Sequence, residues 1–278
     1  MLLKQFSLSV FLGLASMAAS AAPEDTGAGS DTFERARKAV EMPIAAIRAG
    51  PSDVGAYTCS YDGPLIHYNG ATTLQLVNCL LAAPEEADRL VVTSAGGNVD
   101  WAIFAANVLK RRNLEVEVVG LCASSCANYL VPAARRFHAD RYAAILVHGA
   151  PMPPDRERLV EAFKRAGFSE DSPSFESLLQ DNMKRDELTY VLHNNFMREF
   201  NVGSGYYLLE DVAAGRRALG QESPSGMIRV DPASLKACMP GLDTVIEEPD
   251  VEALRALLPG YNMGAITDIR GEDASCSG

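Results

Sequence analysis

Apolar residues recur along the middle of the chain with two periods, that of a buried strand and that of an amphipathic helix. Four consecutive residues at 90–93 form a buried-strand pattern, and Trp101, Phe104 and Val108 follow at helical spacing within 99–112. The same patterns predict further strands over 65–68, 114–119 and 143–147, and further helices over 72–81 and 124–134. Strands and helices therefore alternate over about ninety residues, which predicts an α/β architecture with parallel strands.

The flanking segments are less regular. One helix is predicted over 33–47, interrupted at Pro43, and a long helix over 175–200 is followed by a shorter one over 206–219. Beyond residue 220 the chain is proline-rich, with one helix near 251–258. This last part is interpreted as an extension of the main domain.

The N-terminus has the pattern of a secretory signal peptide. Lys4 precedes an apolar run from Phe6 to Leu14, and Ala19-Ser20-Ala21 matches an A-x-A cleavage site. The run is too short for a stable bilayer-spanning helix. We therefore expect cleavage after residue 21, no membrane anchor afterwards, and a periplasmic or secreted location.

Composition narrows the range of partners. The chain has 278 residues, 47% of them hydrophobic, and a formal net charge of −11. The hydrophobic content fits a globular fold, and the acidic balance argues against nucleic acid and anionic membranes as partners. Six cysteines in an oxidising compartment favour disulfides, with Cys59 and Cys79 the first expected pair because they are close in sequence. No C-x-x-C motif occurs, so no structural zinc site is predicted.

Three features with chemical potential follow consecutive predicted strands. They are the Gly96-Gly97 turn, the serines Ser124 and Ser125 at the start of a helix, and His148 after an apolar strand. Each also has an ordinary explanation: a strand-to-helix turn, a helix N-cap, and a structural histidine. Because the carboxyl ends of parallel strands meet at one edge, these residues could lie together where α/β proteins bind ligands.

Their order carries a family resemblance. A Gly-Gly pair, a Gly-x-x-Ala-Ser motif ending at Ser124, an Ala-Arg-Arg-Phe segment and an apolar strand ending in His148 resemble the proteolytic subunit of the Clp protease. The Cys-Ala-Ser-x-Cys motif is closer still to a group of secreted bacterial Clp-protease-like proteins. The resemblance covers about 60–220 and implies the spiral of ββα units that this family shares with the crotonases.

The resemblance also implies roles for individual residues. Ser124 would be the nucleophile, His148 the general base, and the amides of Gly97 and Ser125 the oxyanion hole. The Ala-Ser-Ser order leaves Ser125 as a rival nucleophile, although the register of the motif favours Ser124.

The chain departs from the family at the third catalytic group. The segment 201–205 precedes a matching Tyr-Tyr-Leu-Leu-Glu-Asp-Val-Ala-Ala stretch but lacks the expected aspartate. Asn201 or Ser204 could orient the imidazole, or the site could be a serine–histidine dyad. A missing acid lowers rate without abolishing catalysis.

The resulting prediction is a secreted serine hydrolase, most simply a peptidase acting on peptide or protein substrates. The resemblance implies no metal or cofactor and suggests a homo-oligomer. One alternative is a non-catalytic protein that binds a peptide or protein partner in the remnant cleft; another is a crotonase-type enzyme acting on an acyl-CoA thioester. The predicted divisions are a signal peptide (1–21), a linker and helix (22–55), a Clp-protease/crotonase-like domain (56–220) and a C-terminal extension (221–278).

Overall fold

A mixed β-sheet forms the centre of the protein. The computed structural model describes residues 28–49, 56–203, 205–207, 228–230, 232–259, 267–269 and 276, and in this part of the chain nine strands join one sheet. The strands are β1 (Thr58–Asp62), β2 (Leu65–Asn69), β3 (Arg89–Ser94), β4 (Glu115–Ala123), β5 (Arg136–Ala139), β6 (Ala144–Val147), β7 (Ile228–Val230), β8 (Asp243–Ile246) and β9 (Thr267–Ile269). The helices are α1 (Ala28–Ala49), α2 (Leu74–Ala82), α3 (Val99–Arg112), α4 (Arg156–Arg165), α5 (Phe175–Phe200), α6 (Pro232–Cys238) and α7 (Val251–Leu257).

The sheet is mainly parallel, as the alternation of strands and helices predicts. Strands β2, β3, β4 and β6 are parallel neighbours, and β1 pairs antiparallel with β2. The first half of β4 pairs with β5 at 116–118, whereas its second half pairs with β6 at 121–123. The predicted α/β fold is confirmed, and the sheet forks where β4 changes its partner from β5 to β6.

Gly120 lies between the two halves of β4. Its φ of +72° is in the left-handed region that glycine tolerates best. A Cβ at this position would lie 2.5 Å from Cγ1 of Val40 in α1. Glycine therefore allows α1 to pack closely across the sheet at the fork.

Two hydrophobic cores flank the sheet. The larger one is formed largely with α2 and α3 and includes Phe196 of α5. The smaller one, with α1 and α7, buries Ala36, Val40 and Leu254 against the other face. The described residues beyond 220 thus belong partly to the main body, since β7 pairs with β6 and β8 with β5.

The helix predicted over 124–134 is replaced by a short π-helical segment over Cys126–Leu130. Pro132 has no N–H to donate to the carbonyl of Asn128, so an α-helical bond there is impossible. The Tyr207 hydroxyl donates to that carbonyl instead, at 2.9 Å, and the Tyr206 hydroxyl donates to the carbonyl of Ala127 at 3.0 Å.

The sequence pattern does not predict five of the strands that the structure describes. The β1 strand is mostly exposed, and β5, β7, β8 and β9 have only three or four residues each, too few for a period to show. The predicted signal peptide lies outside the described residues, as does most of the helix predicted over 206–219. Among the helices that the structure describes, none has the length and apolar character needed to cross a bilayer.

Three cysteine pairs are within disulfide distance. Cys59 pairs with Cys79, as expected from their spacing, and Cys122 pairs with Cys126. The third pair, Cys238–Cys276, ties α6 to the C-terminal residues. All six cysteines of the chain are therefore accounted for.

Candidate active site

The residues singled out by the sequence meet at the carboxyl ends of neighbouring parallel strands. The Gly96-Gly97 turn follows β3, Ser124 follows β4, and His148 follows β6. These strands are parallel and adjacent in the sheet, so the segments that leave them converge on one edge.

Ser124 and His148 form a hydrogen-bonded pair. The Oγ atom of Ser124 lies 2.6 Å from Nε2 of His148. The Ser124 amide donates to the carbonyl of Leu146 at 2.8 Å, which fixes the end of β4 against β6 and sets the distance between the two side chains. His148 is exposed, and its other ring nitrogen makes no hydrogen bond within the described part of the chain. An imidazole in this position can accept the hydroxyl proton as the oxygen attacks a carbonyl carbon.

Ser124 has a left-handed backbone conformation, with φ of +56°. For a non-glycine residue this costs about 1–2 kcal/mol, so the surrounding structure has to hold it. The Asn128 amide donates to the Ser124 carbonyl at 2.8 Å, and the Cys122–Cys126 disulfide closes the turn around the serine. The turn therefore presents Ser124 Oγ to His148 at the cost of local strain.

The Gly96-Gly97 turn lies directly against Ser124. Gly96 has φ of +96°, and a Cβ there would lie 2.6 Å from Cβ of Ser124. The Gly96 amide donates a hydrogen bond to the Ser94 hydroxyl oxygen, at 3.1 Å. By contrast, the amides of Gly97 and Ser125 donate no hydrogen bond to any described residue. Free backbone amides near the attacking atom are what an oxyanion hole requires, so the roles assigned to Gly97 and Ser125 stay predictions.

The Ser125 hydroxyl is engaged elsewhere. Ser125 is buried, and its Oγ lies 2.6 Å from Oγ1 of Thr72, a residue that is itself fully buried. The structure therefore brings Ser124, and not Ser125, to the imidazole of His148.

Of the two candidates for the third group, the structure describes only Asn201. Asn201 is the residue that ends α5, with φ of +51° and its amide donating to the Met197 carbonyl. No hydrogen bond joins Asn201 to His148 in the described structure. Ser204 lies outside the described residues.

Asn128 supports the site in a way that the sequence did not reveal. Its Nδ2 donates to the carbonyl of Gly149, at 2.9 Å, and so ties the π-helical segment to the residue after His148. Asn128 is four residues beyond Ser124, a spacing that would place the two on the same side of a helix. That spacing is the one signal in the sequence that could have pointed to it.

A cleft of about 380 Å³ opens beside the serine–histidine pair. Besides Ser124 and His148 it is lined by residues from three distant segments, including Val99, Met152, Arg158, Asp186 and Thr189. Sequence patterns could not identify Arg158 and Asp186, because only the packing of α4 and α5 brings them to the cleft. Within the described residues, no group of three or more histidine, cysteine or acidic side chains could hold a metal ion.

No protein-family model and no curated protein matches the sequence. Solved structures that match include an enoyl-CoA hydratase from Mycobacterium avium subsp. paratuberculosis K-10, with 12% identity, a TM-score of 0.26, and 53% of this chain and 85% of that chain covered. An enoyl-CoA hydratase from Mycobacterium smegmatis has 12% identity, a TM-score of 0.34 and 76% of each chain covered. An enoyl-CoA hydratase/isomerase from Marinobacter aquaeolei has 11% identity, a TM-score of 0.31, and 73% of this chain and 74% of that chain covered.

These findings correct the functional interpretation drawn from the sequence. The matched structures are named as enoyl-CoA hydratases or an enoyl-CoA hydratase/isomerase, which contradicts the interpretation of the chain as a serine peptidase.

Proposed function

We propose that the protein is an enzyme of acyl chemistry, which takes an acyl group from a small ester or thioester onto Ser124. The observation that carries the proposal is the 2.6 Å hydrogen bond between Ser124 Oγ and His148 Nε2 beside the cleft. The unused amides of Gly97 and Ser125 support it, because acyl transfer passes through an oxyanion that needs such donors.

The reaction has two balanced half-steps. His148 Nε2 accepts the Ser124 hydroxyl proton while Oγ bonds to the carbonyl carbon, and the amides of Gly97 and Ser125 bind the resulting oxyanion. The bond from carbon to the alcohol or thiol leaving group then breaks, and His148 returns the proton to that group. An alcohol or thiol acceptor then takes the acyl group from Ser124 by the reverse sequence, and the proton returns to Ser124 Oγ.

The surroundings of His148 favour esters and thioesters over amides as substrates. No carboxylate among the described residues bonds to His148, so the imidazolium formed during attack receives no such stabilisation from them. Thiols have pKa values of about 8.5 and leave with little help, whereas an amide nitrogen leaves only when the imidazolium protonates it. A cleft of about 380 Å³ also suits a small acyl group, being near the lower end of ligand-sized pockets.

The disulfides support a location in an oxidising compartment. Three cysteine pairs are within bonding distance, a pattern typical of secreted and periplasmic proteins. A periplasmic or secreted location therefore forms part of the proposal.

The proposal is tested by following the acyl group. The oxidised protein is incubated with short-chain nitrophenyl esters and acyl thioesters, and the tryptic peptide that contains Ser124 is examined by mass spectrometry. We expect an acyl adduct on Ser124, its loss in Ser124→Ala, and a decrease in turnover of at least about 10³-fold in His148→Ala. His67→Ala, a histidine outside the site, should leave turnover unchanged.

Two outcomes would contradict the proposal. One is the absence of any Ser124 adduct in folded protein across both substrate series. The other is the addition of water to an α,β-unsaturated thioester at a rate that Ser124→Ala leaves intact, which would replace acyl transfer by hydration.

A further inference from the structure

Thr72 connects the two halves of the predicted oxyanion hole. It lies between β2 and α2, more than twenty residues before the Gly96-Gly97 turn, and its side chain is fully buried. Its amide donates to the carbonyl of Gly96, at 2.9 Å, and its carbonyl accepts from the amide of Asn98, at 3.0 Å. Gly97 is thereby held between two backbone hydrogen bonds to one residue.

The side chain of Thr72 reaches the other half of the hole. Its Oγ1 lies 2.6 Å from Oγ of Ser125, the residue whose amide is the second predicted donor. Both hydroxyls are buried, at 0% and 1% exposure, so water does not compete for this bond. A Cβ on Gly97 would meet three Thr72 atoms at 3.0 Å, so the glycine turn packs tightly against it.

We infer that Thr72 is a positioning residue, whose hydroxyl sets the distance between the amides of Gly97 and Ser125 so that both can donate to one oxyanion. The inference rests on the proposed function and adds to it a residue that touches no substrate. An oxyanion hole works only when its donors lie about 2.7–3.1 Å from the developing charge, and a misplacement of about 1 Å can cost roughly 10²-fold in rate.

The hydroxyl is the part of Thr72 that can be tested separately. The two backbone bonds to Gly96 and Asn98 persist whatever the side chain, but the bond to Ser125 needs an oxygen. Thr72→Val keeps the branched shape and removes the hydroxyl, whereas Thr72→Ser keeps the hydroxyl and removes a methyl group. The positioning role predicts that kcat falls in Thr72→Val and is largely kept in Thr72→Ser.

Kinetics on an ester substrate separate positioning from stability. We expect kcat of Thr72→Val to fall about tenfold with KM within twofold, because the oxyanion forms only after binding. Thr72→Ser should retain most of the wild-type kcat. Thr93→Val is the matched control: Thr93 is also buried and its hydroxyl donates to a backbone carbonyl, that of Val119 at 2.7 Å, but it lies within β3. This control should lose stability without losing kcat.

A double-mutant cycle assigns the effect to the Thr72–Ser125 bond. Ser125→Ala removes the same bond from the other side, so the double variant with Thr72→Val should be no slower than the slower single variant. Losses that simply multiply would show that the two hydroxyls act independently and would overturn the inference.

Amide resonances test the inference without any assay of activity. In Thr72→Val, the NMR signals of the Gly97 and Ser125 amides should both shift, and in Thr93→Val they should stay in place. If the wild type forms no acyl adduct but these amides still move together, the proposed reaction fails and the positioning role stands. If the amides are unchanged, or if kcat of Thr72→Val equals that of the wild type well below its melting temperature, Thr72 has no positioning role.

Discussion

At the scale of single residues, Gly96 is a position in the site that leaves no room for a side chain. Its φ of +96° is costly for any residue with a Cβ, and that atom would lie 2.6 Å from Cβ of Ser124 and 2.7 Å from the Ala123 carbonyl oxygen. We expect Gly96→Ala to push the serine turn away from His148. If Ser124 takes up acyl groups as proposed, kcat on an ester substrate should fall by at least about tenfold, and the melting temperature should drop as well.

Gly63→Ala is the control that measures the free-energy cost of a left-handed backbone conformation without a steric clash. Gly63 has φ of +53°, but a Cβ there would meet nothing within 4 Å. This substitution should cost about 1–2 kcal/mol of unfolding free energy and leave kcat unchanged. Equal activity in the two variants, measured on folded protein, would show that the close contact of Gly96 with Ser124 does not matter for turnover.

At the scale of elements, two disulfides of different loop length separate stability from function. Cys59–Cys79 joins β1 to α2 with a sequence separation of 20, whereas Cys122–Cys126 closes the serine turn with a separation of 4. The entropy lost by the unfolded chain grows with loop length, so the longer loop contributes about 3 kcal/mol and the shorter about 2 kcal/mol.

The two double variants should therefore rank in one order by unfolding free energy and in the opposite order by kcat. Replacing Cys59 and Cys79 by alanine should lower the unfolding free energy more, as measured in urea, and leave kcat unchanged. Replacing Cys122 and Cys126 should cost less stability but lower kcat, because the left-handed Ser124 loses its covalent brace. If removal of the 122–126 pair leaves kcat at the wild-type value, the disulfide does not position the serine.

At the scale of the whole molecule, a buried histidine links α5 to the core and makes folding sensitive to acid. His193 is buried, its Nδ1 lies 3.1 Å from the Tyr129 hydroxyl, and the ring packs edge-on against Tyr207. Burial lowers the pKa of His193 to about 4, from 6.5. The folded state therefore prefers the neutral imidazole.

The sign of the pH dependence follows from this lowered pKa. Above pH 6.5 both states hold a neutral His193, and stability is fully present; between pH 6.5 and 4 only the unfolded state gains the proton. Lowering the pH from 7 to 5 should cost about 1–2 kcal/mol of unfolding free energy through this group. His193→Asn, which keeps an acceptor for Tyr129, should lose that dependence, as measured by urea unfolding at both values.

Other titrating groups are separable from His193. Burial acts to raise the pKa of Glu115, but hydrogen bonds from His138 and Arg89 and the charge of Arg135 hold it below 4.5. The stabilisation that ionised Glu115 provides is therefore lost only below pH 4.5, which is outside the range of pH 7 to 5. His67→Asn, at a partly exposed position, should retain the wild-type slope, and an unchanged slope in His193→Asn would refute the assignment.

The sequence by itself determined the elements that rest on local periodicity. The patterns over 99–112 and 175–200 match α3 and α5 residue for residue, because an apolar face repeating over many residues identifies a helix. The sequence also placed Gly97, Ser124, Ser125 and His148 after successive strands. Parallel pairing of those strands alone brings such positions to one edge of the sheet.

Tertiary structure decided what depends on contacts between distant segments. The short strands β5 and β7 exist only because neighbouring strands pair with them, and Tyr207 and Pro132 turn a predicted helix into a π-helical segment. Thr72, 53 residues before Ser125, engages the Ser125 hydroxyl, and it is the Ser124 hydroxyl that lies beside His148. Sequence periodicity reports which face of an element is apolar; it carries no information on which buried polar group meets which, and that pairing determines the geometry of this site.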